Sequence, residues 1–502
     1  MYPVVNNQNI MKNGFDNDKY LRIQSEHIKE RINKFQGKLY MEFGGKIVDD
    51  YHASRVLPGF QPDSKLQMLM ELREMAEVVI VISALDIDKN KVRGDYGITY
   101  DEDVLRLRDE FMSRGLAVGG VVITHFNGQQ SSILYRQRLE KMDIPVYYLY
   151  NIEGYPHNVS HILSDEGFGR NEYIKTSHPL VVITAPGPGS GKMVTCLSQL
   201  YNENKRGVKA GYAKFETFPV WNLALKHPVN MAYEAATADM NDVNMIDSFH
   251  LEAYGKMSVN YNRDIEVFPV LNAIFEGIYG ESPYKSPTDM GVNMVGYCID
   301  DDLVCCEASR QEVIRRYFNA LGNLAKGQGN DSEVNKLALL MRRMGITPDY
   351  RKVVPACREK SANCDAEAAA IELPDGTILT SKSIPLLGAS AALLLNATKY
   401  LAGIGKDVKL IPAQMIEPIQ KTKVDCLGGH NPRLHTDEVL ICLSMLSVSD
   451  PRCKAALEQL PKLRGSQVHT STMLSEVDRK TFKKLGAELT CEPKIKKKKI
   501  KL

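Results

Sequence analysis

The chain has 502 residues, 44% hydrophobic and 25% charged, which excludes wholesale disorder and fibrous repeats and allows two to four globular domains. Lys and Arg total 63 against 61 Asp and Glu, but six lysines crowd into the last nine residues, KIKKKKIKL; without them 57 basic residues face 61 acidic ones. The body is therefore mildly acidic, which argues against a nucleic-acid-binding domain and against sequence-specific nucleic-acid recognition.

No run approaches the roughly 18 consecutive apolar residues of a membrane span, and the first twenty residues lack the apolar core of a signal peptide. Ten cysteines are scattered without a CxxC pair, as reduced thiols are. The expectation is a cytoplasmic protein with no membrane partner.

In chain order, residues 1–40 read as a helical lead-in, with Leu21, Ile23, Ile28, Ile32 and Phe35 near helical spacing. From 41 to 165 short β-branched runs (VVIVIS, GGVVITHF, VYYLY) alternate with helical stretches (DEDVLRLRDEFMSRG, SSILYRQRLEKM), the pattern of βαβ units and a parallel sheet. A polar, Gly-containing segment, SDEGFGRNEYIKTSHP, reads as a linker into a second α/β domain over 166–328. That part opens on the strand LVVITA and continues with a helix from Lys192, the strand-like VKAGYAKF, a polar insert, a helix over 264–279, the strand-like VNMVGYCI and a long helix from about Asp302. After KGQGND near Lys326, residues 329–493 read as an α+β domain containing VNKLALLMRRMG as helix, YRKVVPA and AAAIEL as strands and GASAALLLNATKYLAG as helix. Residues 494–502 read as a solvated lysine-rich tail. The expected fold class is thus α/β, with parallel sheets and flanking helices in the first two parts, followed by the α+β domain.

One motif is sharp. Residues 180–195, LVVITAPGPGSGKMVT, run a buried strand into a loop of glycines and prolines that ends in Gly-Lys before helix-forming sequence. Glycines let consecutive amides converge on a phosphate, the helix N-terminus adds positive potential, and Lys192 supplies a mobile charge. Gly187, Pro188, Gly189, Ser190, Gly191 and Lys192 resemble the phosphate-binding loop of nucleoside monophosphate kinases. Two positions depart from G-x-x-x-x-G-K-[ST]: Pro186 stands for the leading glycine, and Met193, which cannot ligate Mg²⁺, stands for the hydroxyl residue. Thr195, roughly 200° around the helix, is a poor substitute. The loop also follows at least three strands instead of the first, so 41–165 is expected to be a separate domain.

Weaker constellations accompany it. Asp86 and Asp88 follow the VVIVIS strand where ligands bind in parallel sheets, and Lys46, Asp49, His52 and Arg55 make a polar, Gly-rich stretch in which His52 and Arg55 are available to an anionic substrate. Asp239, Asp242, Asp247 and His250, followed by Asn262, Arg263, Asp264 and Glu266, are candidates for acceptor and Mg²⁺ contacts; Asp239 and Asp247 join Lys192 as the expected catalytic set. Asp300, ending VGYCID, stands nearest to a Walker B acid. His430, His435, Asp437 and His469 are available to a metal, with Arg433 and Arg464 to a phosphate. The alternative for 435–438 is a Thr N-cap followed by first-turn acids. No HExxH and no G-x-S-x-G occurs.

Together YMEFGGKIVDDYHASRVLPGF, GFGRNEYIKTSHPLVVITAPGPGSGK and LGGHNPRLHTDEVLICLS resemble a family of roughly 500-residue bacterial proteins catalogued as a domain of unknown function. The resemblance spans nearly the whole chain except the lysine tail. It implies an intracellular protein with an α/β amino-terminal portion and a distinct C-terminal domain, and no particular reaction; some relatives carry the label ATP-dependent peptidase, for which there is a loop here but no nucleophile or zinc signature. The functional expectation is binding of a phosphate-containing small molecule, ATP or another nucleotide, with Mg²⁺ as companion, and phosphoryl transfer or NTP hydrolysis. The alternatives are nucleotide-responsive binding without turnover and a metal-dependent hydrolase in the C-terminal domain. Homo-oligomerisation is compatible with each.

Overall fold

A computed structural model describes residues 13–45, 47–48, 50–94, 96–240 and 242–494. Lys46, Asp49 and the tail beyond Lys494 lie outside the described residues. The chain forms two compact units, one of Asn13–Glu234 with Asn241–Cys306, the other containing Ala235–Met240 and the chain from Glu307 onward.

The first unit is built on seven strands: β1 (Leu39–Phe43), β2 (Ala76–Ser83), β3 (Ala117–Phe126), β4 (Val146–Tyr150), β5 (Leu180–Thr184), β6 (Gly211–Phe215) and β7 (Gly291–Val292). They form one sheet in the order β7-β6-β1-β5-β2-β3-β4, with every pair parallel. β1, β2, β5 and β6 are buried along their whole length, which is why they read as near-continuous apolar runs. Helices of this unit include α1 (Asn17–Lys34), α2 (Tyr100–Ser113), α3 (Gln130–Glu140), α4 (Lys192–Lys205) and α5 (Asn262–Tyr279).

The expected boundary between 41–165 and 166–328 does not divide the sheet. β5 lies between β1 and β2, pairing Leu180 with both Leu39 and Ala76, so the two stretches share one sheet. The polar segment between them is pinned by hydrogen bonds, not loose: Asn171 accepts from the Tyr150 amide (2.8 Å) and donates to Ser198 Oγ (2.8 Å), and the Ile174 amide donates to Gln199 Oε1 (3.2 Å). β1, at the end of the stretch expected as a helical lead-in, is an interior strand.

Strand order also locates the chain's change of direction. β2, β3 and β4 step outward one way, β5 returns to the centre, and β6 and β7 step outward the other way. Loops at the carboxyl ends of β5 and its neighbours therefore border the crevice where open parallel sheets bind ligands.

The long helix α6 (Asp302–Ala325) runs on into the second unit, which holds α7 (Asp331–Arg343), α8 (Val353–Cys364), α9 (Ala389–Leu401), α10 (Thr436–Leu446) and α11 (Glu476–Lys484). Its strands β8 (Ala368–Glu372), β9 (Ile378–Lys382), β10 (Gln467–Thr470) and β11 (Glu488–Cys491) make a mixed sheet, β9-β8-β10-β11, parallel only between β10 and β11. Ile371, Leu393, Leu394, Val468 and Phe482 are at its core. This is the expected α+β arrangement. Two local expectations fail. VNMVGYCI gives only Val292, the last residue of β7, before a 3-10 turn, Val295–Cys298. YRKVVPA leads into α8, where Pro355 sits in the first turn and its missing N–H costs nothing. Among the described residues no helix is long and apolar enough to cross a membrane.

Candidate functional site

The glycine loop leaves the carboxyl end of the central strand β5 and enters α4. Gly189 and Gly191 have φ of +75° and +86°, a conformation that favours glycine, and Gly191 is the residue before the helix. Gly187 needs its bare α-carbon for another reason, since a Cβ there would lie 2.3 Å from the Tyr100 hydroxyl. Ser190 is buried and donates its hydroxyl to the Gly187 carbonyl (2.6 Å), while Thr124 at the end of β3 donates to the Ser190 carbonyl (2.7 Å). Thr195 braces the loop from the helix side, its hydroxyl donating to Gly191 O (2.8 Å).

Among the described residues no acceptor is found for the amides from Gly189 to Val194. The first turn of any helix leaves such donors open, but here the run extends back into the loop. Lys192, half-buried, makes no ion pair among the described residues.

The neighbouring strands bring further polar groups to this edge. Thr124 and Ser83 lie 3.2 and 3.3 Å from Nδ1 of His125, whose φ is +53° and whose pKa burial lowers against the opposing pull of Asp86. Asp86 pairs with Lys91 (3.1 Å), and Lys91 Nζ stands 4.8 Å from the centre of the Tyr100 ring that abuts Gly187.

On the other side of β5 a buried charge network begins. Lys214 on β6 is in register with Glu42 on β1, which is in register with Ile183 on β5. Lys214 Nζ contacts Glu216 Oε1 (2.8 Å), the Asp264 carboxylate and the Tyr261 hydroxyl, and Tyr261 also donates to Glu216 (3.0 Å). Each of these groups is less than a tenth exposed. Burial works against the charge on Lys214, but Asp264 and then Glu216 outweigh it and raise its pKa. Burial raises Glu216 even though Lys214 pulls it down, and Asp264 pushes it further up. One cation thus faces two buried acids that compete for it. Burial raises the pKa of the Cys196 thiol, one turn along α4, with Glu42 adding to the rise and Lys192 opposing it.

The remaining sequence candidates fall elsewhere. Asp247 is fully buried and its carboxylate is committed to capping, accepting from the His250 amide (3.0 Å) and from the amide (3.0 Å) and hydroxyl (2.7 Å) of Thr288. Asp239 is exposed on the 3-10 turn Ala238–Met240 and belongs to the second unit. Asp242 pairs with Arg263 (2.6 Å), Asp300 with Lys19 (3.9 Å), and His250 meets Ser286 (3.0 Å). In the second unit, His469 is buried between Thr490 (2.8 Å) and Glu492 (3.4 Å), whereas His435 binds Asp478 (2.9 Å) and itself caps α10, one residue before the Thr436 expected to do so. His430 is exposed. These histidines do not converge on a metal among the described residues.

Lys214, Glu216, Tyr261 and Glu42 were not singled out in sequence. A signal was present: a lysine inside the strand-like VKAGYAKF and a glutamate among the apolar residues of LYMEF each demand a partner once buried.

These features define the class of protein: a parallel α/β unit with a glycine loop at its central switch point, followed by an α+β unit. A family model described as domain of unknown function DUF1846, N-terminal, matches residues 13–345, and its C-terminal counterpart matches 349–500. A UPF0371 protein of Streptococcus thermophilus (strain ATCC BAA-491 / LMD-9) is 53% identical over 482 residues, 96% of this chain and 98% of the relative. UPF0371 proteins of Streptococcus pneumoniae (strain JJA) and Streptococcus pyogenes serotype M5 (strain Manfredo) are 52% and 53% identical over 482 and 479 residues, covering 96% and 95% of this chain and 98% and 97% of the relatives. The chain belongs to this uncharacterised bacterial family.

Proposed function

We propose that the chain binds a phosphate-containing small molecule, with ATP or another nucleotide as the leading ligand, at the Gly187–Lys192 loop and carries out phosphoryl transfer or hydrolysis there. The observation that carries this reading is the run of open amides from Gly189 to Val194, set at the carboxyl end of the central strand and followed by Lys192. Such a loop grips phosphate oxygens, and Lys192 balances their charge. Glu216, its carboxyl pushed up to about 7 by burial, stands with Asp264 against Lys214 on the same edge of the sheet and is the candidate proton acceptor. Asp247 is committed to its caps. Ten cysteines, none of them in a disulfide, suit a cytoplasmic setting.

Met193 in place of a hydroxyl residue makes Mg²⁺ a weak companion. Calorimetry with ATP, GTP and sugar phosphates, with and without Mg²⁺, tests the reading: binding should depend little on the metal, and Lys192→Ala should weaken it by roughly 1.5–3 kcal/mol, the worth of a charge-assisted hydrogen bond. No binding to folded wild type, or equal binding to Lys192→Ala, would reduce the loop to a tight turn. The binding-only alternative is separated by turnover: phosphate release that Lys192→Ala abolishes marks an enzyme, and tight binding without release marks a sensor.

A further inference from the structure

We propose that His227, Asp302 and Cys306 form a binding site for a zinc-like divalent cation, separate from the glycine loop. All three belong to the first unit, and their ligand atoms lie within 4.8 Å of one another. Asp302 and Cys306 are one turn apart at the start of α6, so they share a face of that helix. His227 immediately precedes the helix Pro228–Ala236, and the backbone fixes it there: its amide donates to Ala224 O (2.9 Å) and its carbonyl accepts from the Met231 amide (3.0 Å).

The spacing suits zinc. With Zn–S near 2.3 Å and Zn–N and Zn–O near 2.0–2.2 Å at tetrahedral angles, the edges from sulfur to nitrogen or oxygen come to about 3.5 Å. Cys306 Sγ lies 3.6 Å from His227 Nε2 and 3.6 Å from Asp302 Oδ2. His227 Nε2 lies 2.9 Å from the other carboxylate oxygen, Oδ1, so the Asp302 carboxylate must turn to present a single oxygen to the ion. Asp302 has the freedom to do so, its side chain being 55% exposed.

The donor set is equally selective. One thiolate, one imidazole and one carboxylate make a borderline-soft site suited to zinc, and with Zn²⁺ the thiolate and carboxylate give a neutral assembly. Ligation releases the Cys306 thiol proton and requires the imidazole proton to sit on Nδ1. There the ring gives up a long hydrogen bond from the Val229 amide (3.3 Å), a small loss beside a metal–nitrogen bond. Three protein ligands leave the fourth position to water on the open side of Asp302, the arrangement in which zinc activates a bound water.

Titration of metal-free full-length protein with Co²⁺ alone tests this. One Co²⁺ per chain should bind with a near-ultraviolet thiolate-to-cobalt charge-transfer band, which Zn²⁺ then abolishes by displacement. Cys306→Ser should remove the band. Asp302→Ala, at an exposed position that leaves the core untouched, should weaken Co²⁺ binding by roughly tenfold or more. Absence of stoichiometric Co²⁺ and Zn²⁺ binding by folded wild type, a band that survives Cys306→Ser, or an unchanged affinity in Asp302→Ala would overturn the assignment.

Discussion

Replacing Lys214 by Met keeps the length of the side chain and removes the one cation that Glu216 and Asp264 share. Lys214 is 7% exposed, and its ammonium touches both acids and the Tyr261 hydroxyl. Breaking a buried ion pair by deleting one partner costs about 3–5 kcal/mol, because the stranded charge stays desolvated. The acids escape part of that cost by taking up a proton, which fixes the pH dependence. In the variant the folded pKa of Glu216, already raised by burial, rises further above the roughly 4 of an unfolded carboxylate. A raised folded pKa contributes stability at pH below the unfolded value and loses it as pH climbs through the folded value. The variant should therefore be closest to wild type near pH 5 and weakest near pH 8. The single tryptophan, Trp221, lies in the first unit, so urea unfolding followed by its fluorescence reads this unit alone. A loss of less than about 1 kcal/mol at pH 8, or a loss that is the same at pH 5, would refute the picture of one lysine neutralising two buried acids.

Other positions carry their own expectations. Gly191→Ala must hold φ near +86° with a Cβ 2.9 Å from Thr124 Cγ2, so the unit should lose about 1–3 kcal/mol and phosphate binding should fall; unchanged unfolding and calorimetry would contradict this. Met193→Ser should raise the Mg²⁺ dependence of nucleotide binding, read by calorimetry at two metal concentrations. In the second unit, Asp478 raises the His435 pKa through their hydrogen bond, while its own carboxyl, despite burial, is held down to about 2 by His435 and the Thr436 amide. The His435 contribution is complete below pH ~6.5 and fades as pH rises through its raised folded pKa; the Asp478 contribution is complete above pH ~3.9 and fades as pH falls toward 2. Imidazole NMR should show His435 titrating above ordinary histidine and returning toward it in Asp478→Asn. Arg351, 1% exposed, donates to the Val468 carbonyl (3.3 Å), the Glu488 carbonyl and Gln467, so Arg351→Leu should cost at least about 2 kcal/mol, visible as faster hydrogen exchange across β10 and β11.

Most strands of the large sheet were legible because burial on both faces makes VVIVIS and LVVIT continuous apolar runs bounded by turns. Their order was not. Local pattern says nothing of β5 inserting between β1 and β2, and a polar connector looks like a boundary until its side chains are seen to bond inward. The loop was legible because three glycines, the last of them in Gly-Lys, announce their backbone requirement. Asp239 and Asp247 were attractive by proximity in sequence, yet one belongs to the other unit and the second caps a helix. The Lys214 network was hidden for the opposite reason: its members come from β6, the segment just after it, and the residues flanking the start of α5, far apart in the chain and joined only by the fold.

The central claim is that the amides of Gly189 to Lys192 hold a phosphate group. A crystal structure of the wild-type protein with a non-hydrolysable ATP analogue tests it most directly. The account predicts a phosphate with oxygens about 2.7–3.2 Å from those amides and Lys192 Nζ turned onto it. A nucleotide bound elsewhere while the loop amides face only water would contradict it.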